Sequence, residues 1–316
     1  MATKAKAGDK VNLKEWVDTD SLMIVDVSAH MRTNDAGDLE EKTAAEDLFF
    51  NKKQPKFKRK VLSTEINGEE MVVTSLYKLM EMFKVYGTHH TWVFCFDLPG
   101  KNLLKSIDKN YKANRVKMGN YYFDQVNTAK KLLEEAGFTV LSKQGYEADH
   151  CIAEAVKQNY DYYDKIGVFT NDHDLTFLVD DKVSWLNVKK TYADIHMDNY
   201  FVQNKCPYNS ILLKKATVGD RSDGIAGIKG FGEKTYLKFM DFEGLHGTNV
   251  RGQEENIIRN STFLKDVQKE QALHAWSLVK PYDLDIDATA NDVINEDILK
   301  AFFNKYKFKS LINIFE

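Results

Sequence analysis

The sequence predicts an α/β fold in which a mostly parallel central sheet is flanked by helices. Two observations along the first two thirds of the chain predict the sheet. Short apolar segments that favour β-strands alternate with segments of helical periodicity, and glycines or polar turns separate them. Such alternation is typical of a doubly wound parallel sheet. After about residue 205 the patterns become mainly helical, so we expect a helical region to follow the sheet.

The individual elements follow from periodicity and from turn residues. Asn67-Gly68 between two β-prone stretches indicates a hairpin, and Gly137 marks the end of a helix. The predicted elements are strands at 22–27, 91–96, 138–141, 166–169 and 183–188, a hairpin at 61–73, and helices at 76–83, 124–136, 148–160, 211–217 and 233–240. Ligands bind beyond the carboxyl ends of the strands in such sheets, so polar residues there are candidates for a site.

Composition places the chain among ordinary globular proteins. It has 316 residues, of which 43% are hydrophobic and 29% charged. No apolar run approaches the ~20 residues that span a bilayer, and residues 1–10 lack the apolar centre of a signal peptide. We therefore expect a cytoplasmic protein with a flexible tail at 1–19, an α/β core at 20–205 and a helical region at 206–316. Three scattered cysteines argue against a disulfide framework and against a cysteine-based zinc site.

Positive charge is concentrated in two runs, although the formal net charge is -3. The negative total counts mildly against nucleic-acid binding. The local runs matter more, because a phosphate responds to charge within about a Debye length, roughly 8–10 Å. The first run comprises Lys52, Lys53, Lys56, Lys58, Arg59 and Lys60, and the second comprises Lys101, Lys105, Lys109, Lys112, Arg115 and Lys117.

Pairs of carboxylates follow two of the predicted strands. Asp172 and Asp174 come directly after an apolar strand, and their i, i+2 spacing would point both side chains to one side of a continued strand. A loop that favours Asp explains this pair about as well. Glu147 and Asp149 have the same spacing at a strand-to-helix junction, where complementing the helix dipole is a sufficient alternative reason.

Four further acids extend the pattern. Asp220 and Asp223 have the i, i+3 spacing of one face of a helical turn, although turn formation beside two glycines also explains them. Asp26 interrupts a buried strand, which is costly unless the carboxylate is paired or coordinated. Asp97 ends a strand just before a Leu-Pro turn. Recurring acids without an obvious His or Cys cluster suit Mg²⁺ or Mn²⁺, and their number suits two ions that clamp the oxygens of a phosphoryl-transfer reaction.

The second basic run contains an aromatic segment. Lys112 and Arg115 are three residues apart, so a helix would present both on one face, where they could grip a phosphate. The neighbouring rings could stack on unpaired bases. A solvated helix face with core aromatics is the alternative. The rings concerned are Tyr111, Tyr121, Tyr122 and Phe123.

A glycine-rich turn, Gly227-Ile-Lys-Gly-Phe-Gly232, precedes the predicted helix at 233–240. It differs from a nucleotide-binding Walker loop, because Glu233 separates Gly232 from Lys234 and no strand precedes the turn. A helix-hairpin-helix fits better: its backbone N–H groups and helix dipole would face a DNA phosphate. Lys229 would add charge, and Gly230 would allow close approach. A plain helix–helix turn is the alternative.

The order of these motifs resembles the 5′-nuclease (flap endonuclease) superfamily over roughly residues 20–240. The motifs that carry the resemblance are Ile24-Val-Asp26, Phe96-Asp97, Tyr111-Lys112 with Arg115, Glu147-Ala-Asp149, Thr170-Asn-Asp-His-Asp174, and Val218-Gly-Asp220-Arg-Ser-Asp223 followed by Gly227–Gly232. The resemblance implies a PIN-like nuclease core at 20–205 with a helical arch about 99–125, and a helix-three-turn-helix about 211–240. Gly224-Ile-Ala226 departs from the Asn-Ile-Pro of many relatives, which puts only the local turn geometry in doubt. Length and tail are similar to phage enzymes of the T-even RNase H type.

The resemblance also implies roles for the residues. Asp26, Asp97, Glu147 and Asp149 would mainly hold one Mg²⁺ ion. Asp172 and Asp174 would lie between two sites, and Asp220 and Asp223 would serve the second ion. Lys112, Arg115 and Tyr111 would act on the scissile phosphate, and the DNA-binding set would be Lys105, Lys109, Lys117, Gly227, Lys229, Gly230, Gly232 and Lys234.

Cofactors and partners follow from the same resemblance. Mn²⁺ would substitute for Mg²⁺, and K⁺ is a candidate ion at the turn of the helix-hairpin-helix. The substrate would be DNA with 5′ ends, flaps or forks, with RNA–DNA hybrids as a further candidate. A monomer is expected, and a sliding clamp or single-strand-binding protein is a candidate partner by analogy. A phage protein would work in the host cytoplasm.

Two other functions remain compatible with the residues alone. One is a metal-dependent phosphohydrolase of the Asp-x-Asp type, which would need a nucleophilic Asp on the first strand and no grip on DNA. The other is a structure-specific DNA-binding module without catalysis, which would need the basic segments and the hairpin but not the acids.

Overall fold

The centre of the fold is a five-stranded parallel sheet. A computed structural model describes residues 10–17, 19–34, 62–113, 118–188 and 193–315. The strands, in chain order, are β1 Ser21–Asp26, β2 Ser63–Ile66, β3 Glu69–Val72, β4 Thr91–Cys95, β5 Thr139–Leu141, β6 Lys165–Thr170, β7 Val183–Asn187, β8 Gly219–Asp220 and β9 Ile225–Ala226. The sheet has the order β5-β4-β1-β6-β7, and each of its pairings is parallel. The predicted parallel sheet is confirmed.

Helices cover both faces of this sheet, as predicted. The α-helices are α1 Val27–Asn34, α2 Thr74–Tyr86, α3 Leu103–Ile107, α4 Asn120–Glu135, α5 Ala148–Asn159, α6 Tyr200–Asn204, α7 Ile211–Val218, α8 Glu233–Phe242, α9 Glu254–Asn260, α10 Asp266–Val279 and α11 Glu296–Lys305. Among the helices of the described residues, none has the length and apolar character needed to cross a membrane. The predicted hairpin around Asn67-Gly68 is the antiparallel pair β2–β3.

Alternate residues of β1 serve two hydrophobic cores. Leu22 and Ile24 belong to the cluster that contains α5 and α7, whereas Met23 and Val25 belong to the cluster that contains α2, α4 and α11. Successive side chains of a strand point to opposite faces, so a strand covered on both sides must be apolar throughout. This explains why β1 is apolar throughout between Ser21 and Asp26.

Chain order reverses direction in the sheet between β1 and β6. From β1 the chain adds β4 and β5 on one side, and then β6 and β7 on the other. In open α/β sheets a crevice forms at this switch point, beyond the carboxyl ends of the strands. Asp26 ends β1 and Asp172 follows β6, so the fold brings both carboxylates to this crevice.

Residues after 205 share the two cores of the sheet. Ile211 and Leu213 of α7 pack in the same cluster as Ile166 and Trp185, and α11 contributes Phe303 to the opposite core. The mainly helical character predicted for 206–316 is present, but the packing is continuous across residue 205.

The described part of the predicted tail is packed against the body of the protein. Residues Leu13–Trp16 form a 3-10 helix, and Trp16 is only 7% exposed. The Lys10 ammonium lies 2.6 Å from Asp194 Oδ1. This segment therefore contributes to the core that α2 and α4 also line.

Candidate active site

The strand β1 delivers the first carboxylate of the site. Both oxygens of Asp26 are held: Oδ1 accepts from the Ala29 N–H at 2.9 Å, and Oδ2 accepts from the Thr170 hydroxyl at 2.8 Å. The side chain is buried. Burial raises the pKa of Asp26 to about 7, and the charges of Asp97 and Asp172 add to this effect. Burial is the main cause of this shift, and Asp97 and Asp172 are the neighbouring negative charges that add to it.

Asp97 and Asp149 both lie at the start of α5, where Asp149 belongs to the first turn of the helix. Asp97 Oδ1 accepts from the Ala148 N–H at 2.8 Å, so it satisfies a backbone donor at the N-terminus of this helix. Its other oxygen lies 3.6 Å from the Arg32 guanidinium. Burial raises the pKa of Asp149 well above its ordinary value, and the Asp172 charge adds to it.

Asp172 and Asp174 are brought together, although not by a continued strand. The strand β6 ends at Thr170, and residues His173–Leu178 form a 3-10 helix with Asp172 as its N-cap. Asp172 Oδ1 accepts from the Asp174 N–H at 2.9 Å. The prediction that strand alternation would align the two side chains is therefore wrong, because the Asp172 cap turns the chain immediately after β6.

The pKa values of the two carboxylates of this pair are shifted in opposite directions. Although burial favours the neutral acid, the Asp174 N–H and the charges of Lys112 and Lys215 hold the pKa of Asp172 below its ordinary value. Burial raises the pKa of Asp174 to about 7, the Asp172 charge adds to it and Lys215 opposes it.

Asp220 ends the first strand of a β-hairpin and Asp223 lies in its turn, so the helical turn is wrong and the alternative, a turn beside two glycines, is confirmed. Asp220 lies in β8, which pairs antiparallel with β9. The hairpin forms because α7 ends at Gly219, whose positive φ and close approach to the Gly227 backbone leave no room for a Cβ. Within the described residues, one group of acids offers ligand atoms that all lie within 4.8 Å of one another: Asp174, Asp220 and Asp223. We call these three the hairpin carboxylates.

Lys112 lies between the two sets of acids. Its ammonium is 2.6 Å from Glu147 Oε2 and 3.7 Å from Asp223 Oδ2, and its side chain is 7% exposed. Its backbone N–H donates to the Asp223 carbonyl at 2.8 Å. Lys112 has a φ of 50°, which is left-handed and incompatible with an α-helix. The predicted helical face shared by Lys112 and Arg115 is therefore wrong at Lys112, and Arg115 lies outside the described residues.

Glu147 is held by three donors. It accepts from Lys112, from the Tyr111 hydroxyl at 3.0 Å and from the Asn102 amide at 2.9 Å. Burial works against ionisation, but the Lys112 ammonium lowers the pKa of Glu147. Glu147 is therefore the main partner of the Lys112 ammonium, and its role in holding an ion stays a prediction.

The predicted stacking rings are mostly in the core. Tyr111 and Tyr122 are each 3% exposed, so they cannot receive a base, whereas Phe123 is 44% exposed. The Tyr121 side chain lies outside the described part of the chain. A solvent-facing ring therefore remains only at Phe123 among the three described ones.

The predicted DNA-binding residues divide into two groups. Most of those described are exposed, as an interface requires: Lys105, Lys109, Lys229, Gly230, Gly232 and Lys234. Gly227 is half-buried, and a Cβ there would lie 2.3 Å from the Gly219 nitrogen, so hairpin packing explains this glycine. Lys117 and the first basic run, Lys52–Lys60, lie outside the described residues.

Lys215 was missed in the sequence. Its ammonium donates to Asp174 Oδ1 and to Asp220 Oδ2. Although burial works against it, the Lys215 ammonium lowers the pKa of Asp220 to about 2. The available signal was the pair Lys214-Lys215 in the otherwise apolar helix 211–217, but the sequence does not show which of the two meets the acids. Arg32 beside Asp97 was missed as well, and it had no distinguishing pattern.

The residues present fit divalent ions that prefer oxygen. The donor set consists of eight carboxylates, and five of them pair with Lys112, Lys215 or Arg32 in the described residues. Magnesium and manganese prefer such hard ligands. The raised pKa values of Asp26 and Asp174 show that further positive charge would be favourable there.

Comparisons with known proteins agree with this geometry. The sequence model of the 5′-3′ exonuclease, N-terminal resolvase-like domain, matches residues 48–206. The chain is 29% identical over 234 residues to the 5′-3′ exonuclease of Aquifex aeolicus, covering 69% of this chain and 73% of that protein. It is 28% identical over 232 residues to the thermostable DNA polymerase I of Thermus caldophilus, covering 70% of this chain but only 26% of that protein.

A solved structure shows the same fold. The pseudo-enzyme–product complex of the bacteriophage T5 D15 flap endonuclease with DNA and metal ions has a TM-score of 0.56 and 19% identity, with 93% of this chain and 98% of that chain covered. This likeness concerns the fold. The sequence model covers half of the 316 residues, and the chain therefore belongs to the 5′-3′ exonuclease family of the 5′-nuclease superfamily.

Proposed function

We propose that this protein hydrolyses phosphodiester bonds near DNA 5′ ends, as a 5′-3′ exonuclease and flap endonuclease in primer removal, replication or repair. The observation that carries the proposal is the convergence of eight carboxylates with two buried lysines at the switch point of the sheet. The family membership and the T5 flap endonuclease fold support it. The chain spans about a quarter of the length of the DNA polymerase I relatives. The proposal therefore concerns nuclease activity and does not extend to DNA synthesis.

Two Mg²⁺ ions, for which Mn²⁺ would substitute, are proposed as cofactors. Asp26, Asp97, Asp149 and Asp172 would hold one ion, and the hairpin carboxylates would hold the other. Such ions lower the pKa of bound water and offset charge on the attacking and leaving oxygens.

The basic residues of this chain would bind and orient the phosphate. Lys112 is held by Glu147 and by the Asp223 backbone, so its ammonium already lies at the acids. A positioned cation there would stabilise the charge that develops on the phosphate. Tyr111 would act as a positioning residue, because its hydroxyl holds Glu147 and its ring is buried beneath Lys112.

The exposed glycine turn would hold the duplex by its backbone. Lys229 and Lys234 are exposed on either side of Gly230 and Gly232, and Gly232 is the N-cap of α8. Contacts of this kind position DNA without reading its bases. K⁺ at the turn and action on RNA–DNA hybrids remain predictions from the family resemblance.

A phosphohydrolase with a nucleophilic aspartate fits less well. The aspartate at the end of the first strand would have to attack, but both oxygens of Asp26 are engaged by Ala29 and Thr170. Activity on a small phosphate ester with none on DNA would favour that reaction instead.

The direct test measures Mg²⁺-dependent cleavage of end-labelled 5′-flap, nicked and RNA–DNA hybrid substrates. Asp172→Asn should lower the flap-cleavage rate more than about 100-fold, since residues that merely support a metal ligand already cost 10–100-fold. Asp198→Asn is the matched control, because its side chain is 95% exposed on the 3-10 helix Met197–Asn199. Undiminished cutting by Asp172→Asn would refute the assignment.

A further inference from the structure

Lys215 is an unusual member of its helix. The helix α7 is otherwise mainly apolar, and it packs into the core with Ile211, Leu213 and Ala216. The Lys215 side chain is only 14% exposed, and its ammonium bridges Asp174 and Asp220. A buried ammonium is costly unless it is paired, so these two carboxylates are what allows a lysine at this position.

The same carboxylates are the ones that converge on a single point. Asp174 and Asp220 are two of the three hairpin carboxylates, whose ligand atoms lie within 4.8 Å of one another. A divalent ion bound there would approach its oxygen ligands to about 2.0–2.6 Å. An ammonium that donates to two of the same carboxylates would occupy the ion's ligand directions and would repel it.

We propose that Lys215 is a built-in counter-ion of the hairpin carboxylates, and that a divalent ion binds there only by displacing its ammonium. This inference rests on the proposed metal-dependent function and deepens it, because it assigns to one side chain the control of ion affinity at the second site. Lys215 keeps the acids together while no ion is bound, and it opposes ion binding for the same reason. A lysine suits this exchange because its charge sits on a flexible four-carbon stem.

The neighbouring residue provides a matched comparison. Lys214 lies on the same helix and its side chain is equally exposed, at 14%, but its ammonium pairs with Glu233 at 3.2 Å. Glu233 is not one of the proposed metal ligands. Substituting Lys214 therefore removes an equivalent charge and stem from α7 without touching the hairpin carboxylates.

The first experiment titrates Mn²⁺ into the full chain without DNA and counts bound ions by electron paramagnetic resonance. The Lys215→Met variant should bind Mn²⁺ with a dissociation constant lower by about tenfold or more at one site, which corresponds to the loss of about 1.4 kcal/mol of competition. The number of sites should stay unchanged, and Lys214→Met should match the wild type. An equal or higher dissociation constant in Lys215→Met would overturn the inference.

A second measurement uses the wild type alone. It therefore tests displacement of the Lys215 ammonium even if Lys215→Met does not fold. Brief acetic anhydride treatment of the wild type, with mass spectrometry of the peptides, reports the reactivity of each lysine. Mn²⁺ should increase acetylation of Lys215 several-fold and leave that of Lys214 unchanged. Unchanged or reduced acetylation of Lys215 at saturating Mn²⁺ would refute displacement.

The two proposals fail differently. Only the counter-ion role is overturned if the wild type binds Mn²⁺ and cuts flaps, Lys215→Met leaves the Mn²⁺ affinity unchanged, and Mn²⁺ leaves the labelling of Lys215 unchanged. A wild type that binds no Mn²⁺ and cuts no DNA overturns the proposed function and the inference together.

Discussion

Replacing Lys112 by methionine should separate its catalytic role from its structural role. Methionine keeps an unbranched stem but removes the ammonium that lies 2.6 Å from Glu147 and 3.7 Å from Asp223. Both partners are buried, with side-chain exposures of 14% and 7%. The substitution therefore leaves buried negative charge without its cation.

The cost to stability follows from that burial. Breaking a buried ion pair by removing one partner costs about 3–5 kcal/mol. Glu147 keeps its hydrogen bonds from Tyr111 and Asn102, so we expect about 3 kcal/mol, the lower end of the same range. Urea unfolding in the presence of EDTA measures this loss of stability, provided that the variant and the wild type have the same m-value. Lys131→Met, a substitution at a side chain 77% exposed on α4, should cost less than about 0.5 kcal/mol.

The catalytic consequence is measured on the folded fraction. Removing a positioned charge from the scissile phosphate should lower the single-turnover rate of flap cleavage about 10²–10³-fold. The dissociation constant for the same flap, measured by fluorescence anisotropy with Ca²⁺, should change much less. Equal losses in rate and in affinity would show that Lys112 is a docking charge and would refute its proposed role.

Two further predictions concern the backbone and the pH dependence of folding. Gly224 has a φ of 71°, and a Cβ there would lie 2.6 Å from the Asn110 carbonyl, whereas Gly230 has a φ of 77° and open space. Gly230→Ala should therefore cost only the backbone strain, about 1–2 kcal/mol. Gly224→Ala should lower the free energy of unfolding by more than this, because the added Cβ would push on the segment that carries Lys112. The same displacement should slow cleavage. Equal urea midpoints for the two variants would contradict the stability prediction. His30 is buried, and burial together with the Lys78 charge lowers its pKa to about 4, while an unfolded histidine titrates near 6.5. The unfolded chain thus binds the extra proton between these values, so the free energy of unfolding falls as pH falls through this window. Relative to His30→Gln, the free energy of unfolding of the wild type should fall by about 2–3 kcal/mol between pH 7 and pH 4.5. Urea unfolding of both proteins at each pH measures this difference. Parallel pH dependences would show that His30 is not buried in its neutral form.

The order of strands and helices could be predicted from the sequence because each element carries its own local signal. The apolar runs of β1, β4 and β6 and the helical spacing of α2 are visible without any tertiary contact. The acids were recognisable for a related reason. A carboxylate such as Asp26 at the end of an apolar strand has no local explanation, and parallel strands bring their carboxyl ends to one edge.

The geometry of the acids required the tertiary structure. Asp172 turns the chain by capping a 3-10 helix, and Asp220 enters a β-hairpin because two glycine backbones pack together. Both outcomes depend on contacts between segments that spacing along the chain does not encode. Periodicity therefore predicted the wrong local conformation for these candidate residues.

The sequence by itself determined which carboxylates are candidates for the chemistry, whereas the tertiary structure decided which positive charges lie beside them. Carboxylates at strand ends are recognisable because burying a charge is costly without a function or a partner. The pairing of Lys112 with Glu147 and of Lys215 with Asp174 joins residues 35 and 41 positions apart. Such contacts arise only when separate elements pack around one crevice, and for this reason Lys215 could not be distinguished from Lys214 until the chain was folded.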